Sequence, residues 1–307
     1  MSVSDKSNKG CMLCPRKCGA DRKAGRTGFC GVTDKIKIAR AALHFWEEPC
    51  ISGKEGSGAV FFSGCTLRCV FCQNREISVG AKGCEVSIDK LVDIFFDLQE
   101  QGANNINLVT AGQFAPAVAE AIGQYKAKCV EMGFVPLPFV YNTSSYEDVE
   151  TLKLFDGLVD VYLPDLKYLD DSRAEKYSKA ADYPDVAKKA IAEMVRQVGE
   201  LSFDERGMIK KGVIVRHLVL PLGTREAERV ISYLYDTYGD NIMISIMSQY
   251  TPLSGVEEKF SELGRRITKR EYEKVVKYAT DLGVTNAFIQ ERKVAKESFI
   301  PDFNQSF

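Results

Sequence analysis

Histidine is scarce in this sequence of 307 residues, which contains only His44 and His217. A zinc site built mainly from histidine is therefore excluded. Net charge is also close to absent, because 41 Lys and Arg residues stand against 42 Asp and Glu residues and leave a formal charge of −1 at pH 7. Without a strong overall field, there is no electrostatic reason to expect nucleic acid or a membrane surface as partner.

Long apolar runs are missing as well, since no stretch reaches the roughly 20 residues that span a bilayer. The polar N-terminal residues lack the pattern of a secretory signal. We therefore expect a cytoplasmic protein that does not bind a membrane. Cysteine, by contrast, is plentiful, with ten residues. In a reducing compartment, this number indicates metal binding or catalysis rather than disulfides.

Three of the cysteines stand on one short stretch in the spacing Cys-x3-Cys-x2-Cys: Cys65, Cys69 and Cys72. They follow the apolar residues 58–64, which predict a buried strand. Three thiolates on one loop can hold three irons of a [4Fe–4S] cube and leave the fourth iron open. An open coordination position is where a metal site performs chemistry. The alternatives are a zinc knuckle, which usually draws a second pair of ligands from elsewhere, or ordinary buried thiols.

A second group of cysteines lies near the N terminus, in the spacing Cys-x2-Cys-x3-Cys-x11-Cys: Cys11, Cys14, Cys18 and Cys30. A structural zinc held by all four would fold a segment with few apolar residues. An auxiliary iron–sulfur cluster, closed by its fourth cysteine, also fits, and free thiols are the third alternative. Cys50 is expected to pack between this segment and the main domain, and the alternative is that it faces the active site.

Apolar strands and amphipathic helices alternate along most of the chain. The strands are predicted at 59–63, 106–109, 137–141, 159–163, 213–220 and 242–247. Regular alternation indicates a parallel sheet with helices packed against it. Six repeats fall short of the eight of a closed barrel. We therefore expect an α/β fold, an open partial (β/α)6 TIM-like barrel. A Ser-x-x-Glu pattern from Ser144 to Glu147 predicts the start of its third helix.

Three parts are predicted along the chain. A small Cys-rich N-terminal module covers residues 1–55 and ends near a Gly-rich turn at 52–58. The barrel covers 56–255. A C-terminal helical extension covers 256–307, and a capping box beginning at Thr268 predicts the start of its helix.

Polar residues follow the predicted strands, at the edge where the active site of such a barrel lies. The clearest pair is Asp165 and Lys167, after the fourth strand. Residues two apart on an extended backbone point the same way. An acid and a cation side by side can bind a zwitterion, and the alternative is a local ion pair.

The cysteine loop after the first strand, with Phe71 just before the last cysteine, resembles that of the radical S-adenosylmethionine (SAM) superfamily. The resemblance implies a [4Fe–4S] cluster whose open iron is chelated by the amino and carboxylate groups of SAM. It further implies that the reduced cluster breaks the S–C5′ bond and that the 5′-deoxyadenosyl radical then removes a hydrogen atom from a substrate. Phe71 would help to form the adenine pocket.

Within that superfamily, residues 58–252 are similar to the activating enzymes of glycyl radical enzymes, of which the pyruvate formate-lyase activating enzyme is the type. Asp165 and Lys167 match the Asp-x-Lys motif of that family. His217 matches its SAM-contacting His on the fifth strand. The resemblance implies that these three side chains position SAM.

Two stretches depart from the activase pattern. The Gly-Gly-Glu motif, which binds the SAM amino group, keeps Gly112 but has Gln113 in place of the acid. The Asp-Thr-Asn motif, which together with the Asp of Asp-x-Lys, here Asp165, helps to bind a monovalent cation beside the SAM carboxylate, keeps Thr143 but has Asn142 in place of Asp. Gly112, Gln113, Asn142 and Thr143 are the remaining cofactor contacts that the resemblance implies.

The resemblance implies a glycyl radical enzyme as protein partner and a low-potential electron donor, flavodoxin or ferredoxin. The first alternative is radical SAM chemistry on a different peptide, protein or small molecule, which the N-terminal cysteines and Cys50 would suit. The second is a non-catalytic iron–sulfur protein with a decayed SAM site, which the altered Gly-Gly-Glu motif allows.

Overall fold

The computed structural model describes residues 10–80, 82–290 and 303. The strands are β1 (Lys37–His44), β2 (Ser57–Phe62), β3 (Cys84–Glu85), β4 (Ile106–Val109), β5 (Phe139–Thr143), β6 (Val161–Pro164), β7 (Ser202–Phe203), β8 (Ile209–Leu218), β9 (Met243–Met247) and β10 (Ala287–Ile289). The helices are α1 (Pro49–Ser52), α2 (Arg75–Ser78), α3 (Ile88–Glu100), α4 (Ala115–Glu131), α5 (Val149–Leu152), α6 (Asp171–Ser178), α7 (Tyr183–Val198), α8 (Thr224–Tyr238) and α9 (Lys269–Leu282).

The strands of the described residues form one ten-stranded sheet in the order β10-β9-β8-β6-β5-β4-β2-β1-β3, with β7 paired to β8. The run from β2 to β10 is parallel, whereas β1, β3 and β7 pair antiparallel with their neighbours. The two ends of this order are not joined, so the sheet is open. The fold is a mixed α/β fold with a mostly parallel sheet.

The prediction of six parallel strands is one strand short. β10 pairs parallel with β9, Phe288 opposite Ser245, and extends the sheet beyond the six predicted repeats. Its three residues are too short for a clear period-2 pattern, so the sequence offered little to distinguish them from a loop. The predicted helical extension, 256–307, therefore contains both α9 and a strand, and its residues 291–302 and 304–307 lie outside the described part.

Successive residues of each strand face opposite sides of the sheet. One side, the helix-covered face, packs strand residues such as Leu108 and Tyr141 against the helices in the largest core cluster. The other side is the inner face. There Val140, Val161 and Ile214 pack against the short helix α1. Because both faces are buried, the parallel strands read as apolar runs without alternation.

Cys50 lies on α1 within this inner cluster, beside Ile51. Burial raises the pKa of the Cys50 thiol to about 12. The side chain is buried, and the buried residues of its cluster come from α1 and the strands rather than from the N-terminal cysteine segment that the sequence predicted as one of its neighbours.

The predicted helix start at Ser144 is wrong. Ser145 has φ 64°, outside the helical region, and α5 begins at Val149. Its N-cap is Asp148, whose carboxylate accepts hydrogen bonds from the N–H groups of Glu150 and Thr151. Ser144, with Glu147 three residues later, and Asp148 are both residue types that can cap a helix. Asp148 is the cap in the structure, because the side chain of Glu147 is engaged in the tertiary contacts described for the candidate site.

The capping box predicted at Thr268 is confirmed, since Thr268 and Glu271 each accept a hydrogen bond from the other's backbone N–H. Two helices follow β6 in succession: α6 ends at Ser178, and α7 begins at Tyr183 with Pro184 in its first turn. Among the described residues, no helix has both the length and the hydropathy that crossing a bilayer requires.

Candidate active site

The cysteine loop begins at the carboxyl end of β2. Gly64 turns the chain with φ 85°, and a side chain on Gly64 would collide with the carbonyl oxygen of Cys30, 2.7 Å from an added Cβ. The N–H of Cys65 donates to the same carbonyl at 3.3 Å. The loop is therefore fixed to the N-terminal segment at its first residue.

Backbone and side-chain donors surround the cysteine sulfurs of this loop. The N–H groups of Leu67 and Arg68 lie 3.4 and 3.5 Å from Sγ of Cys65. The hydroxyl of Ser178, the last residue of α6, lies 3.1 Å from Sγ of Cys69. Hydrogen bonds to sulfur stabilise thiolates and tune the clusters that they hold. The donor set therefore suits thiolate ligands.

Burial raises the pKa of the Cys69 thiol, although Lys167 and the Ser178 hydroxyl oppose the rise. Burial also raises the pKa of Cys72 to about 12, and the nearby sulfurs of Cys65 and Cys69 add to the rise. The three sulfurs are thus close enough to repel one another when charged. Bound iron would replace their protons, because only the thiolate is a ligand.

No group of three or more His, Cys, Asp or Glu side chains in the described ranges converges on a position for a metal ion. The thiolates of an iron–sulfur cube bind different irons and do not converge on one point. The loop therefore fits the cube by its spacing and donors.

Phe71 lies at the centre of an aromatic cluster. Its ring packs edge-on against Tyr168, Tyr177 and Tyr250 at centroid distances of 6.2 to 6.4 Å. The N–H of the preceding residue, Val70, donates to the carbonyl of Tyr177 at 2.8 Å. These contacts anchor the cysteine loop to α6 and to the segment after β9.

Asp165 and Lys167 form an ion pair just after β6, with 2.5 Å between Oδ2 and Nζ. Burial acts against charge on both, but the cations of Arg216 and Lys167 hold the pKa of Asp165 below its ordinary value. The hydroxyl of Tyr183 accepts from the N–H of Lys167 at 2.9 Å and lies 2.9 Å from the carbonyl of Asp165. The first residue of α7 therefore fixes the backbone between the two charges.

Arg216 and His217 occupy opposite faces of β8. The guanidinium of Arg216 reaches Asp165 and Asn142 on the inner face. His217 is buried, its Nδ1 lies 2.7 Å from the carbonyl of Leu166, and burial lowers its pKa. Its charge environment includes Glu226 of α8, on the helix-covered side. Of these two side chains, Arg216 is therefore the one that contacts Asp165. No motif in the sequence had indicated a role for Arg216.

Gln113 is buried against the base of the cysteine loop. Its Nε2 lies within 3.1 Å of three backbone carbonyls, those of Ser63, Gly64 and Thr110. The amide hydrogens of Gln113 are therefore used to hold the ends of β2 and β4 together.

Glu147 places a carboxylate beside Gly112, the residue that precedes Gln113. Its side chain lies so close to Gly112 that an added Cβ there would collide with both carboxylate oxygens. Oε1 accepts from the hydroxyl of Thr143 at 2.6 Å, and Oε2 is buried without a hydrogen-bond partner among the described residues. Burial raises the pKa of Glu147 to about 7. The local sequence predicts Glu147 to cap a helix, and only the fold brings it beside Gly112.

The N-terminal cysteines lie in a turn-rich segment that packs on the same edge of the sheet. A Cβ on Gly28 would lie 3.1 Å from Sγ of Cys18 and 3.5 Å from Sγ of Cys30. Burial raises the pKa of Cys30, with further increases from Cys11 and Cys18, and burial raises that of Cys14 to about 12. All ten cysteines are free of disulfides.

Arg16 connects this segment to the cysteine loop. Its guanidinium donates to the carbonyls of Thr66 at 3.0 Å and Ser178 at 2.9 Å. The same group stacks on Phe29 and Tyr146, 4.1 and 4.9 Å from the ring centroids. The N-terminal cysteines are therefore held directly beside the loop of Cys65, Cys69 and Cys72.

No protein-family model matches the chain. An uncharacterized protein of Methanocaldococcus jannaschii is 29% identical over 283 residues, which cover 88% of this chain and 74% of that protein.

Two similar solved structures contain bound S-adenosylmethionine. SuiB of Streptococcus suis bound to S-adenosylmethionine is 13% identical with a TM-score of 0.46, over 75% of this chain and 49% of that one. The structure of anSMEcpe with bound AdoMet is 12% identical with a TM-score of 0.48, over 72% of this chain and 58% of that one. These likenesses are weak, and the chain spans about half the length of both proteins.

Proposed function

We propose that this chain is a radical SAM enzyme, with a [4Fe–4S] cluster held by Cys65, Cys69 and Cys72. The observation that carries the proposal is the three-cysteine loop at the carboxyl end of β2, with the Asp165–Lys167 ion pair beside it. When bound, the cluster and SAM supply a one-electron cleavage of the sulfonium that yields a 5′-deoxyadenosyl radical for hydrogen abstraction.

The chain's own residues would hold and orient these groups. The N–H groups at Leu67 and Arg68 and the hydroxyl of Ser178 donate to ligand sulfurs. Burial raises the pKa of the Cys69 thiol and Lys167 opposes this rise, so the ammonium of Lys167 lies next to the cluster loop. The hydrogen-bond donors and the ammonium of Lys167 both favour the negative charge that a thiolate-ligated cluster carries.

The methionine part of SAM is a zwitterion and needs one group of each charge. Lys167 follows β6, and Glu147 follows the neighbouring strand β5, so both charges stand at the carboxyl edge of the sheet. We assign Lys167 to the carboxylate of SAM and Glu147 to its ammonium. Glu147 then supplies the charge that Gln113 lacks, and its partnerless Oε2 beside Gly112 supports this assignment.

For the substrate, we favour a glycine of a partner glycyl radical enzyme, with flavodoxin or ferredoxin as electron donor. The open sheet supports a protein substrate, because its ends are not joined in the described residues and leave a lateral opening. This assignment depends on the resemblance of the Asp165–Lys167 motif, which the geometry keeps intact at the strand end.

A second candidate is radical SAM modification of a different peptide, protein or small molecule. The seating of the N-terminal cysteines against the cluster loop favours it, since a zinc or second cluster held by Cys11, Cys14, Cys18 and Cys30 would stand next to the reacting centre. Metal analysis of the purified protein separates zinc from additional iron and sulfide at this position.

The third hypothesis is a non-catalytic iron–sulfur protein, and a measurement of SAM binding distinguishes it from the two enzymatic hypotheses. The anaerobically reconstituted and reduced protein is titrated with SAM while the EPR spectrum of the cluster is recorded. We expect the spectrum to change, because SAM coordinates the open iron. An unchanged spectrum together with no SAM retained in equilibrium dialysis would refute the proposed function.

The glycyl radical assignment has its own test. The reduced protein is incubated with SAM and pyruvate formate-lyase, and the EPR signal of a glycyl radical on the partner is sought. A signal that requires Cys69 supports the assignment. Cleavage of SAM without that signal would favour the second candidate.

A further inference from the structure

Arg216 donates three side-chain hydrogen bonds on the inner face of the described sheet. Its Nε donates to Oδ1 of Asp165 at 2.9 Å, one terminal nitrogen donates to Oε2 of Glu47 at 3.1 Å, and the other donates to Oδ1 of Asn142 at 2.6 Å. The ion pairs with Asp165 and Glu47 are nearly enclosed, with side-chain exposures of 10 to 15%. The guanidinium therefore joins three acceptors from three separate segments.

Two of these acceptors are the residues to which the activase resemblance assigns a monovalent cation. Oxygen atoms of Asp165 and Asn142 do converge, but the point between them is taken by the guanidinium. A sodium or potassium ion there would displace Arg216 or meet its positive charge at short range. The residues present therefore do not fit a free monovalent cation between Asp165 and Asn142.

Glu47 completes the arrangement from a distant part of the sequence, between β1 and α1. Its Oε1 accepts from the side-chain amides of Asn107 at 3.1 Å and Asn142 at 3.2 Å, while Oε2 pairs with Arg216. Asp165 and Glu47 pair with the two cations Lys167 and Arg216. Burial raises the pKa of a third carboxyl near Arg216, that of Glu48, and so favours its uncharged form. Such balance is what a group of buried charges requires.

We infer that Arg216, held by Glu47, is a built-in cation that positions Asp165, so that the chain binds SAM without a free monovalent cation. The inference rests on the proposed function, because it concerns the SAM site. Arg216 is a positioning residue, acting through Asp165 on the Asp165–Lys167 pair. Asn142, which removes one acidic group from the activase pattern, accepts a hydrogen bond from this arginine instead.

The direct test is the affinity for SAM in different salts. The reconstituted holoprotein is dialysed against labelled SAM in potassium, sodium or choline chloride of equal ionic strength. We expect dissociation constants that agree within twofold. A tenfold weaker affinity in choline, restored by potassium or sodium, would overturn the inference while leaving the proposed function intact. Absence of SAM binding in all three salts would overturn both.

The variant Arg216→Met removes the built-in cation. We expect SAM binding at least tenfold weaker than wild type in choline and partly restored by potassium or sodium, which can then enter between Asp165 and Asn142. Arg216→Lys should recover part of the affinity without added cation. A loss that no cation and no lysine relieves would mean a merely structural role and overturn the inference.

The matched control is Arg265→Met, which removes an arginine that pairs with Glu271 through two hydrogen bonds of 2.8 Å outside the candidate site. Its SAM affinity should equal wild type in every salt. If Arg216→Met fails to fold or to retain iron, Glu47→Gln tests the same point, because it loosens the arginine without removing it. A smaller loss that depends on the cation supports the inference, and wild-type binding in all salts opposes it.

Discussion

Lys167 and Asp165 share one ion pair of 2.5 Å, and Asp165 uses its other oxygen to accept from Arg216. Lys167 is therefore held beside Cys69 by a carboxylate that is itself fixed from the opposite side. A lysine restrained in this way loses little further freedom when it binds an anionic ligand.

Replacing Lys167 with Ala should weaken SAM binding by about tenfold or more, because a charge-assisted contact to the SAM carboxylate contributes roughly 1.5–3 kcal/mol. The cluster should remain, since Lys167 is not a ligand. Equilibrium dialysis and iron content measure the two properties. Lys277→Ala, which removes an exposed lysine paired with Asp281 on α9, is the control. Unchanged SAM affinity in Lys167→Ala would refute the assigned role.

Cys69→Ala should abolish the [4Fe–4S] EPR signal and SAM cleavage together, since two remaining cysteines cannot hold the cube stably. The same change at Cys84, an exposed cysteine on β3, should leave both intact. Iron and sulfide analysis with EPR checks the outcome. Persistence of signal and cleavage in Cys69→Ala would remove this loop from the cluster assignment.

Ser178→Ala should make the cluster harder to reduce, because the hydroxyl 3.1 Å from Sγ of Cys69 stabilises the more negative, reduced state. A hydrogen bond that contributes about 1 kcal/mol corresponds to a fall of roughly 40 mV for one electron. A redox titration followed by EPR measures the midpoint potential. Ser178→Thr keeps the hydroxyl and should stay near wild type. An equal or higher potential in Ser178→Ala would contradict the contact.

Glu147→Gln should stabilise the protein at pH 8. Burial raises the pKa of this carboxyl from 4.5 to about 7, so the folded state holds its proton more tightly than the unfolded state does. Its contribution to stability is therefore present below pH 4.5 and lost as the pH rises to about 7. The full shift corresponds to about 3 kcal/mol.

Thermal unfolding at pH 5 and pH 8 measures this effect. The wild type should lose more stability between the two pH values than Glu147→Gln does. Glu150→Gln removes an exposed carboxylate on α5 and should follow the wild-type profile. Equal pH profiles for wild type and Glu147→Gln would show that Glu147 is not buried as described. The same variant should bind SAM more weakly at pH 8 if Glu147 pairs with the ammonium.

Much of the strand and helix pattern could be read from the sequence. The strand at Ile106–Val109 lies at its predicted position, and the capping box at Thr268 begins α9 as expected. Such features depend on residues near one another in the chain. The sequence also placed the cysteine loop after a buried strand, because apolar residues directly precede it.

The rest depended on contacts between distant residues. Nothing in the spacing around Arg216 and His217 says which of the two faces inward, since a parallel strand is apolar on both sides. Glu47 meets Arg216 across 169 positions, and no local pattern predicts that pair. The local pattern predicts that Glu147 caps a helix, but its carboxylate instead lies beside Gly112 and accepts a hydrogen bond from Thr143.

The most direct test of radical SAM chemistry is the formation of 5′-deoxyadenosine. The anaerobically reconstituted protein is mixed with SAM and dithionite, and the product is quantified by chromatography for wild type and for Ala variants of Cys65, Cys69 and Cys72. The account predicts product from the wild type and none from the three variants. Reconstituted wild type that binds SAM but yields no 5′-deoxyadenosine with reductant and partner enzyme present, or product that persists without these cysteines, would contradict it.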